Sequence, residues 1–143
     1  MGGQVMDKML IWESQYCVGL ESIDAKRKNL FDKMNEFLSV LYSGNTLQEL
    51  LKALDNLEKH IDDYFKYEES LQIRTKFLAY HVHIKDHDEF RYKLSELRVQ
   101  LESNQINKTI ILNLQHNIDD WWKNHILYWD SEFIKYIFSI GLY

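Results

Sequence analysis

Two of the six histidines in this chain, His83 and His87, are four residues apart. On a helix, this spacing places both imidazoles on adjacent turns of one face, where they can bind one metal ion together. A pair of this kind is weak evidence alone, because most such pairs lie on solvated surfaces. The chemistry therefore depends on which other side chains meet the pair, and so on the elements that carry them.

Four segments of the chain have apolar residues at steps of three and four, which predicts four amphipathic helices. They are expected at residues 22–42, 46–71, 79–102 and 108–140. Thr46 and Glu49 form a capping box at the start of the second segment. The chain has no proline, only five glycines and no alternating β-branched stretch, so we predict an all-α fold. Short connections favour an antiparallel, up-down-up-down four-helix bundle.

The organisation along the chain indicates a single domain. No internal repeat, low-complexity tract or linker interrupts residues 1–143. The bundle is expected to occupy residues 22–140. Residues 1–21, with Trp12 and Cys17, are expected to form an N-terminal arm that lies over the bundle.

Polar residues interrupt the inward apolar stripe of every predicted helix. They are Arg27 on the first helix, Tyr64 and Glu68 on the second, His83 and His87 on the third, and His125 on the fourth. Burying such groups costs a few kcal/mol each unless a partner satisfies them. Up-and-down packing brings them to one level, provided that the extra residues of the fourth helix extend from its start. Bundle cores build metal sites in this way, so the sequence predicts a metal centre.

Composition excludes several other classes of function. Lys and Arg number 17 against 22 Asp and Glu, a net charge of −5, so no basic stripe for nucleic acid is expected. The single Cys17, the lack of a leader and the lack of a long apolar run predict a cytoplasmic protein with no membrane partner. No nucleophile or acid–base pair indicates enzymatic turnover.

Several stretches of the sequence resemble the motifs of one protein family. Trp12 and Ile23-Asp24 resemble its opening pattern, and Tyr64-Phe65-Lys66-Tyr67-Glu68-Glu69 stands where the family has His-Phe-x-x-Glu-Glu. The stretch from His83 to Phe90 matches its third-helix motif, and His125 to Asp130 matches its final His-x-x-x-x-Asp. Nearly the whole chain is thus similar to the hemerythrin family, specifically to the single-domain bacteriohemerythrins.

The resemblance implies a centre of two irons that share an oxygen bridge and two bridging carboxylates. The carboxylates would be Glu68 and Asp130, and one iron would be held by His83, His87 and His125. The other iron should be bound by one histidine from each of the first two helices. This chain has Arg27 and Tyr64 at those two positions, so both terminal histidine ligands of that iron are absent.

The two replacements have a physical interpretation. The Arg27 guanidinium supplies a positive charge and several donors where the second cation would have stood. One divalent ion and Arg27 against Glu68 and Asp130 leave about one net positive charge, which a buried centre tolerates. Tyr64 could donate a hydrogen bond to a carboxylate or ligate iron as phenolate, and we favour the hydrogen bond. His60 could serve a second metal only if its helix shifted.

The spacing of the last motif raises a geometric question. Asp130 lies five residues after His125, about 140° away on an ideal helix that turns roughly 100° per residue. A π-bulge would bring both onto one face, and such bulges favour functional sites. His81 and His116 fall off the inward stripes and are expected at the surface.

We therefore expect a non-haem metal protein that binds or senses dioxygen, nitric oxide or another small ligand. One iron ion is favoured over two, and zinc or manganese is also compatible with three imidazoles and carboxylates. The family's reversible binding of dioxygen takes one electron from each of two irons, so a single iron favours sensing over transport. Two different hypotheses stay open, namely a dinuclear dioxygen-binding centre with substitute ligands and a metal-free interaction bundle.

Overall fold

The computed structural model describes residues 10, 21–43, 46–103 and 106–141, which fold into a four-helix bundle without a strand. Helix α1 spans Glu21–Tyr42, α2 spans Leu47–Arg74 and α3 spans Tyr80–Glu102. The fourth helix consists of α4 (Lys108–Asn124), a π-helical turn (His125–Trp129) and α5 (Asp130–Ser139). Helix α1 packs against α2, α2 against α3, and α4 against α1. The predicted all-α, antiparallel architecture is confirmed.

Local sequence signals begin and end these helices. The Thr46 hydroxyl accepts a hydrogen bond from the backbone N–H of Glu49 at 3.3 Å, as the capping box predicted. At the end of α2, Lys76 adopts a left-handed φ of 59°, and the N–H of Phe77 donates to the carbonyl of Gln72. This tight reversal returns the chain directly into α3, which places the start of α3 beside the end of α2.

The apolar core is divided into two clusters. The larger one fills the end of the bundle near the α1–α2 turn and includes the fully buried Met34, Leu38 and Leu54. The smaller one contains Ile23 at the start of α1, Leu71 at the end of α2, and Phe133, Ile134 and Ile137 of α5. The polar residues predicted for the inward stripes lie between the two clusters.

The smaller cluster corrects one expectation about the fourth helix. Its extra length was expected at its start, but α5 continues past the level of the polar residues at the other end. The cause is the apolar face formed by Phe133 and Ile137, which is buried against Ile23 and Leu71. The polar centre is therefore covered by apolar side chains on both sides.

The predicted N-terminal arm, residues 1–21, lies outside the described residues except at Leu10 and Glu21. Leu10 is buried against the larger cluster, and its backbone N–H and carbonyl are both hydrogen-bonded to the Asn35 side chain, at 2.8 and 2.9 Å. Glu21 is the first residue of α1. Across the part of the chain that the structure describes, no helix is long and apolar enough to cross a bilayer.

Candidate metal centre

Seven polar residues form a layer across the middle of the bundle, and each is at most 6% exposed. This polar layer consists of Arg27 of α1, Tyr64 and Glu68 of α2, His83 and His87 of α3, His125 of the π turn, and Asp130 of α5. All were singled out from the sequence, and the structure brings all of them together. Every helix of the bundle contributes to the layer.

The inward ring nitrogens of the three histidines converge on one carboxylate oxygen. Oε1 of Glu68 lies 2.9 Å from Nε2 of both His83 and His87 and 3.4 Å from Nε2 of His125. Nε2 of His125 lies 3.5 Å from Nε2 of His83 and 3.3 Å from Nε2 of His87. Bonds of about 2.1 Å to one ion would separate neighbouring ligand atoms by about 3.0–3.4 Å. The spacing therefore fits a single metal ion.

The Asp130 carboxylate is the fifth group that faces the point where the three histidines and Glu68 converge. Its Oδ1 lies 2.8 Å from Nε2 of His83 and 3.0 Å from Nε2 of His125. This oxygen is buried, yet it has no hydrogen-bond partner with suitable geometry among the described residues. A buried carboxylate oxygen without such a partner, facing two ring nitrogens, is the donor arrangement that a cation would satisfy.

The π-helical turn delivers Asp130 to this position. The backbone N–H of Asp130 donates to the carbonyl of His125, five residues earlier, which is the π-helical hydrogen bond. The wider turn absorbs one extra residue, so His125 and Asp130 share a face. The predicted π-bulge is confirmed.

The outer ring nitrogens of two histidines face carboxylates. Nδ1 of His87 lies 2.6 Å from Oε2 of Glu69, and Nδ1 of His125 lies 2.7 Å from Oδ2 of Asp86. A carboxylate only accepts hydrogen bonds, so Nδ1 of each ring carries a proton that it donates outward. Nε2 of a neutral ring then presents a lone pair inward, as a metal ligand must.

These outer partners were not identified from the sequence. Glu69 directly follows Glu68, and Asp86 directly precedes His87, so each is adjacent in sequence to a predicted ligand. Gln72, whose amide faces Nδ1 of His83, lies four residues after Glu68, one helical turn along the same face. Their position next to predicted ligands was the only signal for Glu69 and Asp86, and it is a weak one because charged residues next to a buried residue usually face solvent.

Arg27 and Tyr64 close the other side of the polar layer. Nη2 of Arg27 donates to Oδ2 of Asp130 at 2.9 Å, and its Nε donates to the Tyr64 hydroxyl at 3.1 Å. The Tyr64 hydroxyl in turn lies 3.4 Å from Oε2 of Glu68, to which it donates a long hydrogen bond. The interaction favoured for Tyr64 from the sequence, a hydrogen bond to a carboxylate, is thus present.

Charge in the polar layer shifts the pKa values of its members. Burial lowers the pKa of His83, but the carboxylates of Asp130 and Glu68 outweigh burial and raise that pKa to about 9. Burial likewise opposes protonation of His125, yet Asp130 and Asp86 raise its pKa well above the ordinary range. Burial would raise the pKa of Glu68, but the three imidazoles lower it well below its usual value. The charged forms of His83, His125 and Glu68 therefore stabilise one another.

The Tyr64 phenol stays protonated in this environment. Burial raises its pKa well above the ordinary value, Arg27 opposes that rise, and Glu68 adds to it. A neutral phenol donates a hydrogen bond and is a poor metal ligand. The pKa shift therefore agrees with the hydrogen-bonding role.

Aromatic rings fix the orientation of the histidines. Phe65 stacks on His87 with ring centroids 3.9 Å apart, and Trp121 stacks on His125 at 4.7 Å. The fully buried Trp122 meets Tyr64 edge-on at 5.9 Å. Rings packed in this way cannot rotate freely away from the centre, so the inward nitrogens are preorganised.

The remaining described histidines lie away from the polar layer. His60 is half-buried and its Nδ1 lies 2.8 Å from the backbone carbonyl of Asn56. His81 and His116 are exposed, as expected. Over the described ranges, the only group of histidine, cysteine or acidic residues that could hold an ion is Glu68, His83, His87 and His125.

Comparison with known proteins places the same segment in context. Residues 18–137 match the family model described as the hemerythrin HHE cation binding domain. Bacteriohemerythrin of Aquifex aeolicus is 29% identical over 111 residues, covering 72% of this chain and 85% of that protein. Bacteriohemerythrin of Clostridium acetobutylicum is 23% identical over 129 residues, covering 88% and 99%. Myohemerythrin of Sipunculus nudus is 29% identical over 93 residues, covering 65% and 72%. The family match includes every residue of the polar layer.

Proposed function

Because the chain belongs to the hemerythrin family, we propose that its polar layer binds one divalent ion, with iron favoured. The ligands would be His83, His87 and His125, with Glu68 and Asp130 completing the set. The family is one of cation-binding proteins, and the buried histidines and glutamate of this chain are suited to a non-haem metal ion.

The contact between Arg27 and Asp130 carries the proposal of a single ion. The guanidinium lies 2.9 Å from the carboxylate that the family would use to bridge two irons, and both side chains are at most 1% exposed. Two divalent ions and Arg27 against two carboxylates would leave about three net positive charges in a buried layer. One ion leaves about one, which costs far less in a medium of low dielectric constant.

The donor set on the Arg27 side supports the same count. Among the residues of the polar layer, the Tyr64 hydroxyl and the outer oxygens of Glu68 and Asp130 face that side, and all three atoms take part in hydrogen bonds. A phenol that remains protonated and carboxylate oxygens already bonded to Arg27 and Tyr64 are a poor site for a second cation. A second ion would require Arg27 to leave the layer.

We further propose that this centre binds or senses a small ligand such as dioxygen or nitric oxide. When bound, a ferrous ion with three imidazoles and two carboxylate oxygens supplies one open coordination position. Stacked Phe65 and Trp121, together with buried Trp122, keep bulk water from the rings. We propose ligand binding rather than catalysis, because the sequence contains no evident nucleophile or acid–base pair.

Metal content tests the number of ions. Protein expressed in iron-containing medium, without metal added during purification, should contain about one equivalent of iron by elemental analysis. His125→Ala should lose the iron, whereas His116→Ala, a matched change at an exposed histidine, should retain it. Two equivalents in the wild-type protein would support a dinuclear centre, and a folded protein with none would support a metal-free interaction bundle.

Ligand binding is tested on the iron-loaded protein. Titration of the ferrous form with nitric oxide under anaerobic conditions should produce a new visible absorption that saturates at one equivalent per iron. Tyr64→Phe removes one hydroxyl from the layer and should preserve that stoichiometry. A ferrous protein whose spectrum does not change with nitric oxide would contradict the ligand-binding part of the proposal.

A further inference from the structure

The outer nitrogens of the three imidazoles do not have equivalent partners. The pairs are His87 with Glu69 at 2.6 Å, His125 with Asp86 at 2.7 Å, and His83 with Gln72 at 2.6 Å. Two partners are carboxylates, and the third is a neutral amide. Gln72 is completely buried, which is unusual for glutamine and requires that its amide have a definite hydrogen-bonding role.

The Gln72 amide can face His83 in two ways, with opposite consequences for the ring. With the amide nitrogen toward Nδ1, the amide donates, and the proton of a neutral His83 must sit on the inward Nε2. Half a turn of the amide brings Oε1 toward Nδ1, so Nδ1 carries the proton and Nε2 presents a lone pair. Only the second arrangement permits His83 to bind a metal ion.

The unsatisfied amide oxygen favours the second arrangement. Nε2 of Gln72 lies 2.6 Å from Nδ1 of His83, while Oε1 of Gln72 is buried and has no hydrogen-bond partner among the described residues. With the amide nitrogen toward Nδ1, the amide oxygen is therefore a buried acceptor without a donor, which costs free energy. Half a turn of the amide gives that oxygen the Nδ1–H of His83 as its donor, and Nε2 of His83 then faces Glu68 and Asp130, at 2.9 and 2.8 Å, where the ion would bind.

We propose that Gln72 is a positioning residue whose amide oxygen accepts from Nδ1 of His83 and fixes the ligating tautomer. The proposal rests on the proposed metal-binding function. Because a neutral amide polarises an imidazole less than a carboxylate does, His83 is the weakest donor of the three histidines.

Zinc affinity provides the first test, measured on the metal-free full-length protein by competition with a chromophoric chelator. Gln72→Leu should weaken zinc binding by about 10- to 100-fold, the usual effect of removing a hydrogen-bond partner of a metal ligand. Gln72→Glu, which is nearly isosteric, should tighten binding beyond the wild-type value. Gln115→Leu is the matched control. Gln115 lies in α4, and its amide oxygen accepts a hydrogen bond from the Tyr42 hydroxyl instead of facing a histidine of the polar layer.

The tautomer of His83 provides a readout that a merely structural role would not change. Long-range ¹H–¹⁵N correlation spectra of the ¹⁵N-labelled protein distinguish imidazoles protonated on Nδ1 from those protonated on Nε2. In the zinc-loaded wild type, His83 should be protonated on Nδ1, with a hydrogen-bonded proton that shifts upfield in Gln72→Leu and downfield in Gln72→Glu. The protons of His87 and His125 should stay in place.

The possible results distinguish an error in the proposed metal-binding function from an error in the role of Gln72. Wild-type protein that binds no zinc through its histidines would overturn the proposed function and this inference together. If the wild type binds zinc but Gln72→Leu and Gln115→Leu bind equally well, with the His83 proton unmoved, only the role of Gln72 is wrong. Should Gln72→Leu fail to fold, Gln72→Glu decides, because unchanged affinity and an unchanged His83 proton would refute the positioning role.

Discussion

Replacing Arg27 by methionine isolates the effect of the buried positive charge. The side chain of Arg27 is 1% exposed and that of its partner Asp130 is fully buried, with 2.9 Å between Nη2 and Oδ2. Methionine fills much of the same volume but leaves the carboxylate without its guanidinium. Removing one partner of a buried ion pair costs about 3–5 kcal/mol. For a domain of this length, that loss lowers the melting temperature by about 10–15 °C.

Arg98→Met is the matched control for this prediction. Arg98 also pairs with two carboxylates, those of Asp55 and Glu58, but its side chain is 28% exposed and Asp55 is 66% exposed. Surface ion pairs contribute about 0–1 kcal/mol, so this variant should melt within a few degrees of the wild type. The two substitutions change the same residue type and remove the same charge. Burial is the variable that differs.

The assays are thermal unfolding, for the melting temperature, and urea unfolding, for the free energy of unfolding, both on chelator-treated protein and followed by far-ultraviolet circular dichroism. Asp130→Asn combined with Arg27→Met should cost less than the sum of the single changes, by more than about 1 kcal/mol, because the partners interact directly. Zinc should restore part of the stability of Arg27→Met, since the cation also balances the carboxylate. Equal losses for Arg27→Met and Arg98→Met would refute the assignment of Arg27 as the charge that replaces a second ion.

Three other perturbations test the same geometry. Arg27→His combined with Tyr64→His should raise the iron content from about one equivalent to about two, and an unchanged content in a folded variant would count against the assigned positions. Metal-free protein should be most stable between pH 4.5 and pH 6.5, the ordinary pKa values of glutamate and histidine. The raised pKa of His83 gives stability that is lost as pH rises through about 9, and the lowered pKa of Glu68 gives stability that is lost in acid. Thermal melts across pH test this, and stability that increases from pH 7 to 9 would contradict it. Deleting the exposed Leu127 should convert the π turn to α-helix, with Asp130 still on the face of His125. Deleting the exposed Asp120 should instead rotate every later inward residue by about 100° and prevent folding. Circular dichroism of the two deletion variants measures this difference.

The elements that follow from local periodicity could be read from the sequence. Helix bounds agreed within a few residues, because an amphipathic stripe of period near 3.6 and caps such as Thr46 are local features. The polar layer was also predictable, since Glu68 and the three histidines interrupt stripes that otherwise bury only apolar groups. Even the π turn was predictable, because the five-residue spacing of His125 and Asp130 conflicts with a regular helix.

What the sequence could not supply is how neighbouring helices meet. The extra length of the fourth helix proved to lie at its end, because Phe133 and Ile137 are covered by Ile23 and Leu71, and that contact joins residues distant in sequence. Similarly, the turn at Lys76 aligns α2 with α3, so which carboxylate or amide faces each outer nitrogen depends on the register of two helices.

The sequence by itself thus determined the four helices, the residue types of the polar layer and the loss of two expected histidines, because each is encoded in residue identity or spacing along one helix. Tertiary structure alone decided that Arg27 contacts Asp130, that Tyr64 donates toward Glu68, and that His83 faces an amide. The physical reason is that hydrogen bonds between helices depend on fractions of an ångström in packing, which no periodicity specifies.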